Sequence, residues 1–374
     1  MGNAAQIRLA VCLGMNSVYF LVPGLRVPEN VWDEAIQGAD FLALATLFEG
    51  AEPVLEQRLV QTPVLAGATH LLWLWEVLSK TKSMPEMAAF EWEADGGPAM
   101  GTETWRLWSV HLKETPAGLL TEAPQEELTA TERDQLHDDI LAAARRHGFQ
   151  LQQWADRWYL TRKDDWAINV RPWCAQNHRV YSEDAIEGEK TERFHALIND
   201  FRSVLQSHPV NIARRSLGQE TVDTFWPDGG SRRHLLKTST LRAVMSDHSY
   251  VWGWAQNAGL LNFRTVPVAD HWPEAPEGDL VVELDDLYES YRTGEWNQWR
   301  EKLPALFERM AALAQEAKKR RCSRLVLVAT GEVDSHTVIA QTETGAKGFL
   351  SKFKKKKPLD VQPLLKETCS GVSQ

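Results

Sequence analysis

The sequence predicts an α/β fold: a mixed, largely parallel sheet with covering helices, and an additional α+β lobe. Three observations predict it. Asp279-Leu-Val-Val-Glu-Leu284 and Arg324-Leu-Val-Leu-Val-Ala329 are short, nearly unbroken apolar runs, as strands buried on both faces are. Between them Glu295–Arg321 repeats apolar residues at helical spacing, so strand, helix and strand imply a parallel crossover. The middle of the chain reads differently, as a capped helix among short strands.

In chain order, residues 7–22 hold two short apolar runs, Ile7-Arg-Leu-Ala-Val11 and Val18-Tyr-Phe-Leu-Val22. Pro23-Gly24 closes the second, giving a buried strand and its turn. Residues 29–49 carry apolar residues at helical spacing, and Gly67–Lys80 predicts a buried helix. The polar stretch 82–104 predicts a loop, and Trp105–Leu112 alternates like a strand. A second unit starts near Leu119. Thr129-Ala-Thr-Glu132 is a capping box for a helix reaching about His147, with Gly148 as its C-cap. Short strands follow at Gln150–Trp154, Arg157–Thr161 and Ala167–Val170. A helix over Lys190–Gln206 then puts Phe194, Leu197, Ile198, Phe201, Val204 and Leu205 on one face. Thr240–Gly259 is predicted helical, stopped by Gly259, and Val338–Gln341 adds an edge strand. The expected division is a core in two parts, 1–112 and 208–345, a lobe at 113–207, and a basic tail at 346–374.

Composition narrows the function. A formal charge of -10 argues against DNA or RNA as the main partner, since phosphate binding wants a net basic surface. No apolar stretch is long enough to span a bilayer, and the first residues lack the basic region of a signal peptide, so a cytoplasmic protein is expected. Cys12, Cys174, Cys322 and Cys369 are widely spaced and form no CxxC, the pattern of reduced thiols rather than a zinc site. Tryptophan is over-represented, with 16 against 6 tyrosines. Large rings either fill a core or present an aromatic surface to a protein partner. The basic, aromatic run 346–357 is either a solvated tail or a foot for an anionic surface.

The densest local signal is His208-Pro-Val-Asn211, Arg214-Arg215, Gly218 and Thr224-Phe-Trp-Pro-Asp-Gly-Gly230, with Arg232-Arg233 just beyond. Guanidinium forks bind phosphate or carboxylate in pairs. One reading makes His208, Asn211, Arg214, Arg215 and Arg232 an anion pocket for a phosphorylated small molecule. The other makes them structural: His208-Pro209 ends a helix, Asn211 caps the next turn, Arg214 pairs with acidic surface and Trp226 packs a seam.

These residues resemble a bacterial family of RpfE-type regulatory proteins. That family is distantly similar to the archaeal-type, cofactor-independent phosphoglycerate mutases of the alkaline phosphatase-like superfamily. The chain departs modestly where Asp223-Thr-Phe-Trp-Pro-Asp-Gly-Gly230 replaces an Asn-Ser-aromatic-Trp-Gly-Gly pattern. Val110-His111-Leu112, with Ser109 in a proline's place, Val251-Trp-Gly253 with Ala258-Gly259-Leu260, and Asp279–Leu287 with Gly294-Glu-Trp-Asn-Gln-Trp299 extend the likeness over roughly 100–330. The resemblance implies an alkaline phosphatase-like core. In the enzymes it implies a Ser or Thr nucleophile between two divalent ions, Mn or Zn, held by Asp and His.

The ligand pattern is altered. Where the mutases end a late strand in Asp-Glu-x-x-His, this chain reads Tyr288-Glu-Ser-Tyr-Arg292, and a guanidinium cannot ligate a cation. The first strand, Val18–Gly24, offers no carboxylate. The expectation is therefore a regulatory pseudoenzyme with no catalytic residues and no cofactor. The alternative is an active phosphoglycerate mutase or related phosphomutase, with a metal site assembled from Asp247, His248, Asp270, His271 and Asp285 at strand ends. Asp247-His248 counts against it by falling on the predicted helix.

Overall fold

A computed structural model describes residues 17–54, 60, 62–98, 101–154, 156–237, 240–265, 278–342 and 358–367. The chain forms two compact units. The first runs to Val60 and resumes at Lys237, with Val77–Lys80 added; the second comprises Gln61–Glu76 and Thr81–Leu236.

The first unit is an α/β domain around a seven-stranded sheet. Its strands lie in the order Leu261–Phe263, Leu241–Met245, Asp279–Glu283, Ser17–Pro23, Arg324–Thr330, Ser335–Gln341 and Glu52–Val54. Every pairing among the first five is parallel, whereas Ser335–Gln341 pairs antiparallel with both of its neighbours. Asp279–Glu283 is buried at every position, as a strand covered on both faces must be. The crossover helix is present as Trp296–Lys319. Trp299, Leu303, Leu306, Met310, Leu313 and Ala317 recur on its buried stripe. The two strands it joins are not neighbours, because Ser17–Pro23 lies between them. The 335–341 strand is longer than expected and sits one place in from the edge, since Glu52–Val54 pairs outside it.

The helix expected over Thr240–Gly259 is corrected. Leu241–Met245 is a strand, and only Ser249–Asn257 is helical. Alanine and methionine favour helix, but burial of Leu241, Ala243, Val244 and Met245 between two parallel neighbours outweighs that weak preference. The tail is corrected in part. Leu359 and Val361 pack on the core, Gln362–Leu365 is helical, and Lys366–Glu367 pairs with Val27–Pro28. Residues 346–357, Ile7–Val11, Cys12 and Cys369 lie outside the described residues, whereas Cys174 and Cys322 are thiols.

A buried ion pair fastens that returning segment. Arg26, fully buried, holds Asp334 at 2.8 Å and donates to the carbonyls of Leu364 and of Lys366, the latter at 2.8 Å. Glu367 accepts the N–H groups of Glu332, Val333 and Asp334 at 3.1, 2.6 and 3.1 Å.

The second unit is α+β and wider than the expected 113–207 lobe. Its central strand, Glu103–Thr115, pairs with Thr224–Ser231, with Arg157–Arg162 through its first half, and with Gly118–Glu122 through its second. Helices Ala130–Arg146 and Thr191–Gln206 contribute Leu136, Ile140, Phe194, Leu197 and Phe201 to one core with Trp105, Trp158, Trp166 and Trp226. The capping box at Thr129 and Glu132 is formed. Residues 82–104 are not all loop: Ala88–Ala94 is a helix whose Trp92 sits edge-on to Tyr159. Among the described residues, twelve tryptophans are buried; Trp108, Trp154 and Trp252 are half-buried. The tryptophan excess therefore serves mainly as core. No described helix is long and apolar enough to cross a membrane.

Removing one partner of a buried pair strands the other charge. Asp334→Ala should lower unfolding stability in urea by about 3–5 kcal/mol. Proteolysis should then cut first near residues 358–367, which lose their anchor.

Candidate functional site

The His208 block begins where the helix Thr191–Gln206 stops. His208 has extended backbone and caps the next helix, Pro209–Ser216, by accepting the Val210 N–H on Nδ1 at 3.2 Å. Pro209 occupies the first turn, where its missing N–H costs nothing. Asn211 is buried. Its amide donates to the carbonyls of Leu205 and Val222 at 2.9 and 2.7 Å and accepts the Val222 N–H at 3.0 Å. It pins a loop to a helix end and has nothing left for a ligand.

Arg214 is just as fully engaged. It is 1% exposed and donates from Nε to Glu132 at 2.8 Å, and to the carbonyls of Glu220, Glu126 and Glu127 at 2.9, 2.9 and 3.0 Å. Burial alone would raise the Glu132 pKa; hydrogen bonds from Arg214 and Thr129 outweigh it and hold the carboxyl below its usual range. Arg232 donates to Asp165 at 2.7 Å and to the carbonyls of Gly101 and Lys163. The five proposed anion ligands therefore do not converge. Only Arg215, exposed on its helix, faces open space.

That space is a polar hollow of about 560 Å³, lined by His111, Arg202, Arg215, Thr221 and Asp223 among others. Asp223 lies 2.9 Å from His111 Nδ1 and accepts the Leu112 N–H and the Thr221 hydroxyl, each at 2.8 Å. Arg202 was not singled out from sequence. Its only signal was its place on the polar face of Thr191–Gln206, a position any solvated arginine could hold.

The glycine pair is explained by close packing. A Cβ on Gly230 would meet the Trp105 ring at 2.3 Å, and Gly229 (φ +64°) would meet Met87 at 2.9 Å. Both lie within the strand Thr224–Ser231, at the irregularity between Asp228 and Ser231 where its pairing with the central strand shifts register. Trp226 is buried in the unit's own core and donates to the Arg171 carbonyl at 2.9 Å. Asp228 accepts from Trp108 Nε1 at 2.9 Å and from the Trp173 N–H at 2.6 Å. Burial pushes its carboxyl up to about 7 against those two donors.

In the first unit, the carboxyl ends of parallel strands gather a different set. Because Leu241–Met245 is a strand, Ser246, Asp247 and His248 emerge at its end, beside the end of Asp279–Glu283. His248 ion-pairs with Asp285 at 3.1 Å, and Ser246 donates to buried Glu283 at 2.6 Å. Asp247 accepts from the Thr265 hydroxyl. His248 stacks on Tyr250, and its side chain is 34% exposed. Burial would lower the imidazole pKa; Glu283, then Asp285 and Asp247, outweigh it and hold it at about 9. Asp247, His248 and Asp285 are thus brought together, contrary to the helix expectation. Glu283, the carboxylate inside an apolar run, was passed over in reading the sequence.

The described residues do not fit a pair of divalent ions. Such ions need several oxygen or imidazole donors turned toward shared points. Here the donors are turned to each other, and among the described residues no three His, Cys, Asp or Glu side chains are grouped to hold an ion. The first strand ends Val22-Pro23-Gly24, and Arg292 pairs with Glu332 at 3.1 Å. Asp270 and His271 lie outside the described residues.

Two measurements check these assignments. Arg214→Ala should cost about 3–5 kcal/mol of stability, whereas Arg215→Ala, at an exposed site, should stay within about 0.5 kcal/mol. Asp228 binds its proton more tightly when folded, so its contribution is full below its unfolded value of 3.8 and lost as pH rises through about 7. Thermal unfolding of Asp228→Asn compared with the parent should show the parent's relative stability falling across that window, by at most about 1.4 kcal/mol per pH unit.

No protein-family model matches the sequence, and no curated protein matches it. Among solved structures the chain is similar to the PH0037 protein from Pyrococcus horikoshii, at 12% identity and a TM-score of 0.46, with 88% of each chain covered. It is also similar to a cofactor-independent phosphoglycerate mutase from Thermoplasma acidophilum DSM 1728, at 13% identity and a TM-score of 0.42, covering 89% of this chain and 92% of that one.

Proposed function

We propose that this chain is a non-catalytic, regulatory relative of the metal-dependent phosphoglycerate mutases, an RpfE-like bacterial protein of the cytoplasm with an alkaline phosphatase-like core. It acts by binding a protein or a phosphorylated small molecule, and it needs no cofactor. One observation carries the reading. At the carboxyl ends of the parallel strands, the side chains that could grip a cation engage one another, His248 with Asp285, Ser246 with Glu283 Oε2 and Asp247 with Thr265, and of the buried oxygens among them only Glu283 Oε1 stands without a hydrogen bond. A protonated imidazole has no lone pair to offer a metal, and its charge balances the carboxylates beside it.

The chain's own groups would then hold that edge of the sheet rigid and do no chemistry there. The His208 block supports the same reading, because Asn211 and Arg214 serve packing.

A second reading has one observation in its favour. His248 and Asp285 are distant in sequence yet meet at the edge where open α/β sheets place ligands. With Asp270 and His271 added they would form the metal site of a phosphomutase using Mn or Zn.

The test is interconversion of 3- and 2-phosphoglycerate by purified protein supplied with Mn²⁺, Zn²⁺ or Mg²⁺. No turnover above buffer is expected, and elemental analysis should find well under one equivalent of metal. Metal-dependent turnover that is lost in His248→Ala and Asp285→Ala would establish the enzyme instead.

A further inference from the structure

A second cavity adjoins the polar hollow of the second unit. It has a volume of about 320 Å³, and its walls are apolar, with Leu112, Leu119, Ile198, Tyr181 and Trp226 among them. Tyr181 Oη and His195 Nδ1 meet at 2.6 Å in its lining. Leu112, Leu119, Asn199 and Arg202 line both spaces, which makes them two compartments of one cleft. Arg202 stands at the junction. Its side chain is exposed, and it makes no hydrogen bond or ion pair with another described residue. That sets it apart from Arg214 and Arg232, whose donors are taken up by the protein itself.

We infer that this cleft binds a small aromatic acid. Its ring enters the apolar compartment against Trp226 and Tyr181, and its acidic group meets Arg202 and Arg215. Size supports this: a cavity of about 150 Å³ holds one benzene ring, so the apolar compartment accommodates two fused rings. Ring chemistry supports it too, because aromatic walls favour an aromatic guest in offset or edge-on contact. A guanidinium without an internal partner is the natural receptor for a carboxylate. Charge count sets the load. Glu114 and Asp223 line the polar compartment along with the two arginines and offset part of their charge, so the cleft suits a single negative charge better than a polyanion. The inference rests on the proposed function only in taking the chain to be a binder. The mutase assay does not bear on it.

Isothermal titration of the full chain with three probes tests it: 2-naphthoate, the neutral 2-naphthamide, and 2-naphthyl phosphate. Naphthoate should bind in the micromolar range, the amide about tenfold more weakly, and the phosphate no more tightly than the carboxylate. Arg202→Ala should weaken naphthoate about tenfold, leave the amide unchanged and leave the melting temperature in place, since the side chain is solvated. Asn199→Trp, on the exposed side of the same helix, should block the junction and abolish binding of all three. The proposal fails if naphthoate gives no heat at about 1 mM, if acid and amide bind equally, or if Arg202→Ala binds naphthoate like the parent. Tighter binding of the phosphate would replace the aromatic carboxylate with a phosphoester as the class recognised.

Discussion

The strand Ser17–Pro23 can exist only between partners drawn from the opposite end of the chain, Asp279–Glu283 and Arg324–Thr330. A parallel strand cannot satisfy its amides with a hairpin neighbour, and both its faces must be covered. The rest of the first unit follows from that constraint. The helix Trp296–Lys319 covers one face, and the indole Nε1–H of its Trp299 reaches the Gly24 carbonyl at the strand's exit. Arg26, just past the turn, ties the exit to Asp334 and to the returning segment 362–367. The intervening residues form a unit with its own core, so the loop that must close is largely folded chain rather than free coil.

Charge burial is the second recurring theme. Arg26 and Arg214 are almost wholly inside, and each has carboxylate and carbonyl partners that use most of its donors. A buried guanidinium is tolerable only on those terms. The same logic operates at the strand ends, where Glu283, Asp247 and Asp285 surround His248. The carboxylates raise the pKa of the ring, while burial raises that of Glu283 against the opposing charge of His248. The arginines that remain for solvent or a guest in the polar hollow are Arg202 and Arg215, both on exposed helix faces.

Aromatic packing ties these features to the backbone. Trp105, Trp166, Phe194 and Trp226 form a chain of edge-on and stacked rings through the second core. Gly230 is required because Trp105 lies flat against its Cα, and Asp228 is held by the indole of Trp108. The run around Gly229 and Gly230 is thus a strand shaped by its neighbours' rings.

Periodicity made much of this legible from sequence. The apolar runs at 279–284 and 324–329, the amphipathic stripes of 190–206 and 295–321, and the Thr129–Glu132 capping box depend on residues close in the chain, and all appear in the structure. What sequence could not decide was whatever depends on a partner far away. Leu241–Met245 is helix-prone locally and becomes a strand because two parallel neighbours bury it. That reassignment moved Asp247 and His248 from a helix face to the sheet's carboxyl edge. Likewise Arg214 and Arg202 look alike as residues. Only the fold places Glu132 and three carbonyls around the first and leaves the second at the mouth of a cleft, because burial and proximity are properties of the packed chain and not of any short stretch of it.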